Sequence, residues 1–227
     1  MLKSKKSLIN KKVIVNAGLT IEHLDRLRVV KKRSSGKMGV ATVEEALERG
    51  AKVTLIYGSG TANPPSDTKV IRVESTKEMY DAVVSELKSE KCDILVATAV
   101  ADIWAPRKSI NHNVSTNTTQ VPKTKLRPPL IVDMVKKISP ETFLVAFRAE
   151  RGLSDDELIE SAYKRLKVAN ADLVAANDVG RKGAGFAVDT NEVFIVDSAR
   201  NATHIPLASK REIAQRLLDI IEKKLDK

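Results

Sequence analysis

The sequence predicts an α/β domain whose mostly parallel sheet is covered by helices. Short apolar runs rich in β-branched residues alternate with longer segments of helical periodicity. The 227 residues, 42% of them hydrophobic, suffice to bury the core of one such domain, whereas two independent domains would be cramped. We therefore predict a single domain over residues 1–227. Its predicted strands cover residues 13–16, 52–57, 69–73, 93–98, 143–147, 172–176 and 193–196.

Three helices are predicted from apolar stripes at helical spacing. Gly50 follows the first stripe and predicts the end of that helix, because glycine readily adopts the left-handed conformation common at helix ends. Ser154 and Glu157 form a capping-box pattern at the start of the second helix. The stripes consist of Val40, Val43, Ala46 and Leu47; of Leu158, Ile159, Ala162 and Leu166; and of Ile213, Leu217, Ile220 and Ile221.

Residues 103–129 interrupt this alternation. Asn, Thr, Ser and Pro dominate the stretch, and residues 111–119 carry hardly any apolar side chains. A loop of this length inside a compact domain is usually functional or flexible. We therefore predict a protruding arm over residues 103–129 that belongs to the domain but not to its core.

Positive charge is concentrated in two parts of the chain. The formal net charge is +10, and residues 26–43 and 103–132 contain no acidic residue. With 4% aromatic residues and no recognisable nucleic-acid module, phosphates on a small molecule are favoured over nucleic acid, although a generally basic surface is the alternative for the second segment. No run approaches the ~20 apolar residues of a membrane span, and residues 1–12 lack a signal-peptide pattern. We expect a cytoplasmic protein without membrane partners.

The sequence offers little for thiol or zinc chemistry. Cys92 is the single cysteine, so an internal disulfide is excluded, and its place before the apolar run 94–96 indicates packing at a strand start. The three histidines share no metal-ligand spacing, so a zinc site is not expected.

The segment Ser34-Ser35-Gly36-Lys37-Met38-Gly39 stands at a predicted helix start, after a basic loop that follows the first strand. Backbone amides at a helix N-terminus are unpaired and the helix dipole is positive there, so these hydroxyls and glycines would form an anion cradle. The spacing matches neither the GxGxxG fingerprint nor the P-loop. An ordinary helix N-cap is the alternative.

Polar residues follow three further strands, in Ala99-Val100-Ala101-Asp102, Phe147-Arg148-Ala149-Glu150 and Ala176-Asn177-Asp178-Val179. In open α/β sheets the ligand crevice lies at the carboxyl ends of the strands, where a carboxylate such as Asp102 can hold a metal. Each segment taken singly is also a turn signal. Gly183-Ala184-Gly185-Phe186 indicates a loop that folds over the crevice, or a hairpin approach.

Several motifs together resemble the phosphopantothenoylcysteine synthetase family. Asn16-Ala17-Gly18 with Thr20 and Glu22, and then Ser34 to Gly39, resemble the opening of these enzymes. The later matches, in the same order, are Ala99 to Asp102, Ala146 to Glu150, Ala176 to Val179 and Thr190-Asn191-Glu192-Val193. The resemblance runs from about residue 13 to residue 196 and covers only the synthetase part of the fused family proteins.

The resemblance implies a Rossmann-like three-layer fold and a homodimer in which the arm reaches toward the partner subunit. It also implies a ligase reaction of coenzyme A biosynthesis. The carboxylate of 4′-phosphopantothenate attacks the α-phosphate of CTP, pyrophosphate leaves with Mg²⁺, and the amine of L-cysteine displaces CMP from the acyl-cytidylate. CTP is implied more strongly than ATP.

The resemblance also assigns site residues. Gly18, Ser34, Ser35 and Gly36 would bind phosphates, and Ala99, Asp102, Phe147 and Asn177 would frame the nucleotide and the metal, with Asp102 as metal ligand. The family's catalytic asparagine is replaced by Lys32, and an ungapped alignment of the arm places Asn113 at the family's lysine. Lys32, Asn113 and Lys37 are therefore the candidate catalytic residues.

Two other interpretations remain open. One is a nucleotide-binding relative that has lost ligation and serves as a regulatory or structural subunit. The other is an unrelated Rossmann-type oxidoreductase, which is disfavoured because the chain lacks both the glycine fingerprint and an acid placed to hold an adenosine ribose.

Overall fold

The computed structural model describes residues 6–23, 27–31, 33–99 and 130–226. Within these ranges ten strands and five helices follow one another along the chain. The strands are β1 (Lys12–Ala17), β2 (Ile21–His23), β3 (Val29–Lys31), β4 (Lys52–Tyr57), β5 (Lys69–Arg72), β6 (Ile94–Ala97), β7 (Phe143–Glu150), β8 (Leu173–Asp178), β9 (Thr190–Asp197) and β10 (Ala202–Ser209). The helices are α1 (Lys37–Glu48), α2 (Thr76–Ser89), α3 (Ile131–Ile138), α4 (Asp155–Ala169) and α5 (Lys210–Leu225).

Eight of these strands form one sheet in the order β10-β9-β8-β7-β6-β1-β4-β5, while β2 and β3 pair separately as a hairpin. The six strands from β8 to β5 are parallel, and β9 and β10 are antiparallel to their neighbours. The chain winds from β1 outward to β5 and then returns to place β6 on the other side of β1. Such a reversal of strand order is where open α/β sheets form their ligand crevice.

Helices cover both faces of the sheet and give three layers. Successive side chains of β1 point to opposite faces, so Val15 packs in the apolar cluster with α1 and α5, whereas Ile14 packs in the cluster with α2, α3 and α4. Every residue of β1 and of β8 is buried, as expected for central strands covered on both sides. The mostly parallel three-layer arrangement confirms the predicted fold class.

The local predictions for the helix ends are confirmed. α1 ends at Glu48, and Gly50 follows with a φ of 85°. The Ser154–Glu157 capping box opens α4 with both of its reciprocal hydrogen bonds. Along the three stripes, the positions central to each interface are buried, including Val43, Ala162 and Leu217.

Several features differ from the sequence-based expectation. The strands β7 and β8 continue through Glu150 and Asp178, because residues 147–150 pair in register with residues 175–178. Their polar ends are therefore strand residues, whereas the prediction ended these strands at residues 147 and 176. The prediction also lacked β10, whose largely exposed residues carry no alternating apolar signal. The predicted arm over 103–129 lies outside the described residues.

Candidate functional site

A cleft lies between the N-terminus of α1 and the carboxyl ends of β6, β7 and β8. The start of β9 and the residues that lead into it complete its wall, together with the first residue of α5. The lining residues are Ser34, Ser35, Gly36, Lys37, Met38, Gly39, Thr98, Phe147, Ala149, Asn177, Gly185, Phe186, Asn191 and Lys210.

The Ser-Ser-Gly turn places the start of α1 at the cleft. Gly36 is the residue before the helix and has a φ of 75°, a left-handed conformation that favours glycine. A Cβ atom at this position would overlap the ring of Tyr57. The amide nitrogen of Gly36 lies 3.4 Å from the hydroxyl oxygen of Ser34, and the amide nitrogen of Lys37 lies 3.4 Å from that of Ser35. Both hydrogen bonds are long and therefore weak. These amides are well placed to bind an anion instead.

The turn is held in place from behind. The carbonyl of Ser35 accepts hydrogen bonds from the amides of Thr61 and Ala62, at 3.0 and 3.1 Å. The hydroxyl of Tyr57 in turn donates to the carbonyl of Ala62 at 2.8 Å. The conformation of the turn is thus fixed by the segment after β4 and does not depend on a ligand.

Two asparagines on neighbouring strands form the opposite wall. Asn177 of β8 and Asn191 of β9 are both more than nine-tenths buried, and the side-chain amide of Asn177 donates to the side-chain carbonyl of Asn191 at 3.3 Å. Phe147 and Ala149 of β7 lie beside them. An asparagine side chain presents both a donor and an acceptor, so this wall suits the recognition of a neutral polar group.

The segment 185–189 closes the third side of the cleft. Ser35 donates from its hydroxyl to the carbonyl of Phe186, and the ammonium of Lys37 lies 3.3 Å from the carbonyl of Ala187 and 2.6 Å from a carboxylate oxygen of Asp189. The sequence-based expectation of a loop folded over the crevice is confirmed for Gly185 and Phe186, which line it.

Lys210 adds a buried cation to this side. Its side chain lines the cleft although the residue is only 5% exposed. Burial, together with the nearby charge of Lys37, lowers the pKa of the Lys210 ammonium to about 8, although the charge of Asp189 opposes the shift. The two lysines together make this end of the cleft positive.

Asp178 braces the strand ends from the other face of the sheet. Its carboxylate accepts hydrogen bonds from the amides of Gly152 and Gly180, at 2.9 and 2.7 Å. Burial alone would raise the pKa of Asp178, but the hydrogen bonds from the amides of Gly180, Gly152 and Leu153 outweigh it and hold the pKa below its ordinary value. The loops after β7 and β8 are therefore tied to one ionised group.

Six of the predicted site residues meet in the cleft: Ser34, Ser35, Gly36, Lys37, Phe147 and Asn177. Gly18 does not line it; this glycine packs instead against the backbone of Gly58 and Ser59. Ala99 is not a lining residue either, and its amide donates to the carbonyl of Asn16. Lys32, Asp102 and Asn113 lie outside the described residues.

Sequence reasoning missed three polar residues that line the site, Thr98, Asn191 and Lys210. Thr98 was predicted only as the last residue of a strand. Asn191 stands in the matched motif Thr190 to Val193, so that motif was the available signal. Lys210 belongs to no matched motif. It lies in a stretch rich in lysine and arginine, which predicts a solvent-exposed helix start. Its burial depends on the fold.

The remaining observations concern Cys92, possible metal ligands and membrane-spanning helices. Cys92 is fully buried, and burial raises the pKa of its thiol to about 12, so the packing role predicted at this strand start is confirmed. In the ranges that the structure describes, no cluster of three or more His, Cys, Asp or Glu side chains is arranged to hold a metal ion. None of the helices described there is both long and apolar enough to cross a membrane.

Comparison with known proteins identifies the family. Residues 8–225 match the family model described as DNA/pantothenate metabolism flavoprotein C-terminal domain. The chain is 44% identical over 222 residues to the coenzyme A biosynthesis bifunctional protein CoaBC of Thermococcus kodakarensis, covering 97% of this chain and 53% of that protein. It is 33% identical over 218 residues to the protein of the same description in Bacillus subtilis, with 94% and 52% covered. The chain thus spans about half the length of these relatives.

Solved structures agree with this assignment. The C-terminal domain of a coenzyme A biosynthesis bifunctional protein CoaBC matches with a TM-score of 0.78 and 31% identity, covering 96% of this chain and 99% of that one. A Cab2 variant in complex with phosphopantothenate-cysteine matches with a TM-score of 0.77 at 15% identity, covering 95% and 87%, and shows the shared fold alone. Because the family model spans nearly the whole described chain, the protein belongs to the DNA/pantothenate metabolism flavoprotein C-terminal domain family.

Proposed function

We propose that the chain is a phosphopantothenoylcysteine synthetase that joins L-cysteine to 4′-phosphopantothenate, with CTP as the activating nucleotide. The observation that carries the proposal is the cleft in which the N-terminus of α1, after Ser34, Ser35 and Gly36, faces Asn177 and Asn191. Relatives described as coenzyme A biosynthesis bifunctional proteins support the same activity.

The reaction needs stabilisation of negative charge at a phosphate. The carboxylate oxygen of phosphopantothenate forms a bond to the α-phosphorus, the bond to pyrophosphate breaks, and the cysteine nitrogen then attacks the acyl carbon and releases CMP. Backbone amides at the start of α1 and the ammonium of Lys37 supply fixed positive potential for the triphosphate. Lys37 would exchange its contact with the exposed carboxylate of Asp189 for phosphate oxygens.

The proposed cofactor is Mg²⁺ held through Asp102 and the triphosphate. Mg²⁺ in nucleotide sites is usually bound by one or two carboxylates and by substrate phosphates, so the Asp102 carboxylate and the triphosphate would together supply suitable ligands. In the sequence Asp102 follows Thr98, which lines the cleft, by four residues. When bound, the ion would neutralise the departing pyrophosphate.

Lys32 and Asn113 are proposed as catalytic residues whose side chains have exchanged places relative to the family pattern. Lys32 precedes Ser34 of the cleft by two residues. An ammonium on a flexible stem reaches a phosphate from more than one backbone position, whereas an asparagine supplies a neutral donor and acceptor. In this proposal Gly18 and Ala99 have no direct ligand contact and are only neighbours of the strand ends.

The proposal includes a cytoplasmic homodimer in which the arm over residues 103–129 contributes to the partner's site. The polar composition of this segment gives it no core of its own to fold against. Deleting residues 111–119 should therefore impair activity or assembly. A fully active monomer after this deletion would contradict the role of the arm.

A relative that binds nucleotide without ligation is the second candidate function. The observation in its favour is Lys32, which stands where the family has a catalytic asparagine. The family to which the chain belongs gives no support to the interpretation as an unrelated oxidoreductase.

The decisive experiment measures pyrophosphate release from CTP in the presence of phosphopantothenate, L-cysteine and Mg²⁺, with the product identified by mass. The same assay with ATP establishes the nucleotide preference. Release that requires both phosphopantothenate and cysteine supports the ligase. Binding of CTP without any pyrophosphate release would instead support the non-catalytic relative.

A further inference from the structure

Lys210 is a cation in the wall of the cleft whose donors are all engaged by the protein itself. Its Nζ atom lies 2.9 Å from the carbonyl oxygen of Gly185, 3.2 Å from that of Phe186 and 2.6 Å from that of Val188. An ammonium group has three N–H donors and no acceptor. The three carbonyls therefore account for the whole donor capacity of Lys210, which leaves none for a phosphate.

Lys37 differs from Lys210 in this respect. The Asp189 carboxylate that it contacts is 85% exposed, so water or a ligand can replace that contact at little cost. Lys210 is buried, and the carbonyls that it binds belong to the segment between β8 and β9. The ammonium of Lys37 is therefore available to a ligand, whereas that of Lys210 is hydrogen-bonded to backbone carbonyls.

Keeping an ammonium buried costs free energy, which a methionine of similar length would avoid. Hydrogen bonds to the backbone offset this cost. The carbonyls of Gly185, Phe186 and Val188 lie in a segment outside the sheet, and Lys210 supplies the donor that each of them needs. The amide of Lys210 also donates to the carbonyl of Asp189 at 2.9 Å. One residue therefore holds four of the five carbonyls of residues 185–189 against the start of α5.

The segment is held on its other side by α1. Ser35 donates to the same Phe186 carbonyl that Lys210 binds, and Lys37 contacts the carbonyl of Ala187. Residues 185–189 are thus clamped between the anion cradle and the first turn of α5. Any movement of this segment would change the width of the cleft.

We propose that Lys210 is a positioning residue that fixes residues 185–189 as one wall of the cleft and thereby sets the affinity for the nucleoside triphosphate. The kinetic part of this inference rests on the proposed ligase function. The structural part does not, because it concerns only the segment and the binding of a triphosphate.

The test uses the full chain with Lys210→Met, which keeps the length of the side chain but removes its charge and donors. Hydrogen–deuterium exchange of residues 183–190 and calorimetric titration with CTP and Mg²⁺ are the primary readouts. Lys224→Met is the matched control, because Lys224 is a lysine of the same helix that pairs with Asp197 at 2.8 Å and does not line the cleft.

We expect Lys210→Met to increase exchange in residues 183–190 and to raise the dissociation constant for CTP by about tenfold, equal to ~1.4 kcal/mol. In the ligase assay the KM for CTP should rise by a similar factor while kcat changes by less than about threefold. Lys224→Met should leave exchange of the segment and CTP affinity unchanged.

Lys210→Gln keeps two donors and serves if Lys210→Met fails to fold; it should give an intermediate affinity. Wild-type exchange and wild-type CTP affinity in a folded Lys210 variant would overturn the proposal. A chain that binds CTP without ligating would disprove the proposed function alone, since exchange and affinity still report on Lys210.

Discussion

Asn177 donates a hydrogen bond to Asn191 across the β8–β9 boundary, with 3.3 Å between the two side-chain atoms. The two residues come from separate motifs, 14 positions apart, and meet on one wall of the cleft. Each side chain fixes the rotation of the other amide, so the wall presents its donors and acceptors in a defined order.

The first prediction follows from this pair. Asn177→Ala and Asn191→Ala should each raise the dissociation constant for CTP by about tenfold, because each removes a positioned polar group and leaves its partner unpaired. The double variant should bind only slightly more weakly than either single variant. Calorimetry gives these values, and Asn201→Ala, which alters a side chain bonded to Asp197 away from the cleft, is the control. Fully additive losses would show that the residues act independently.

The second prediction concerns the turn before α1. Gly36→Ala should destabilise the fold by roughly 2–4 kcal/mol and abolish tight CTP binding, since a Cβ atom meets the Tyr57 ring in addition to the left-handed backbone strain. Gly152→Ala is a matched control: its φ is also 75°, but no atom lies within 4 Å of its Cβ position. It should cost only about 1 kcal/mol in urea unfolding. An equal loss of unfolding free energy in both variants would show that the contact with Tyr57 does not contribute.

The third prediction concerns acid stability. The pKa of Asp178 is lower in the folded protein than its ordinary value of 3.8, so the stability it contributes is present above that value and is lost as the pH falls through the folded pKa. Asp178→Asn should reduce the free energy of unfolding by about 2 kcal/mol at pH 7. The difference from wild type should shrink below about pH 4. Asp67→Asn, in an exposed turn, should show no such difference.

The fourth prediction concerns alkaline pH. The pKa of Lys210 is lowered from 10.5 to about 8 in the folded protein. Below pH 8 the buried side chain is charged, and its full cost lowers the free energy of unfolding. This cost disappears as the pH rises from 8 toward 10.5, because the folded protein then releases the proton that the unfolded chain keeps. The free energy of unfolding of the wild type relative to Lys210→Met should therefore rise by about 1–3 kcal/mol between pH 7.5 and pH 10. Lys37 and Asp189, which face Lys210, are present in both proteins. A pH-independent difference would contradict the lowered pKa.

The fifth prediction concerns Lys32. If Lys32 has taken over the cationic role, Lys32→Ala should lower the ligation rate by ~10²-fold or more, the scale for removing one preorganised electrostatic group. The double variant Lys32→Asn with Asn113→Lys should recover part of the rate. Normal turnover and CTP affinity in Lys32→Ala would move the search for the catalytic cation to the other basic residues. These are Lys31, Arg33, Lys37, Arg107, Lys108, Lys123 and Lys125.

The fold class and the start of α1 could be predicted from the sequence alone. Hydrophobic periodicity is a local property, so buried strands such as β1 and β8 and the capping box at Ser154 were visible without any tertiary information. The Ser-Ser-Gly turn was visible for the same reason. Helix-terminal chemistry depends on neighbours within a few residues.

The distribution of the polar residues over the two faces of the sheet depends on long-range packing and could not be predicted. Asn177 faces the cleft and Asp178 braces the loops on the other face, because β8 continues through both residues and successive side chains alternate. Lys210 has the local sequence of a surface lysine, yet it is buried by a segment more than 20 residues away in the chain. Burial and hydrogen-bond partners of this kind come from long-range packing, which local patterns of residues do not encode.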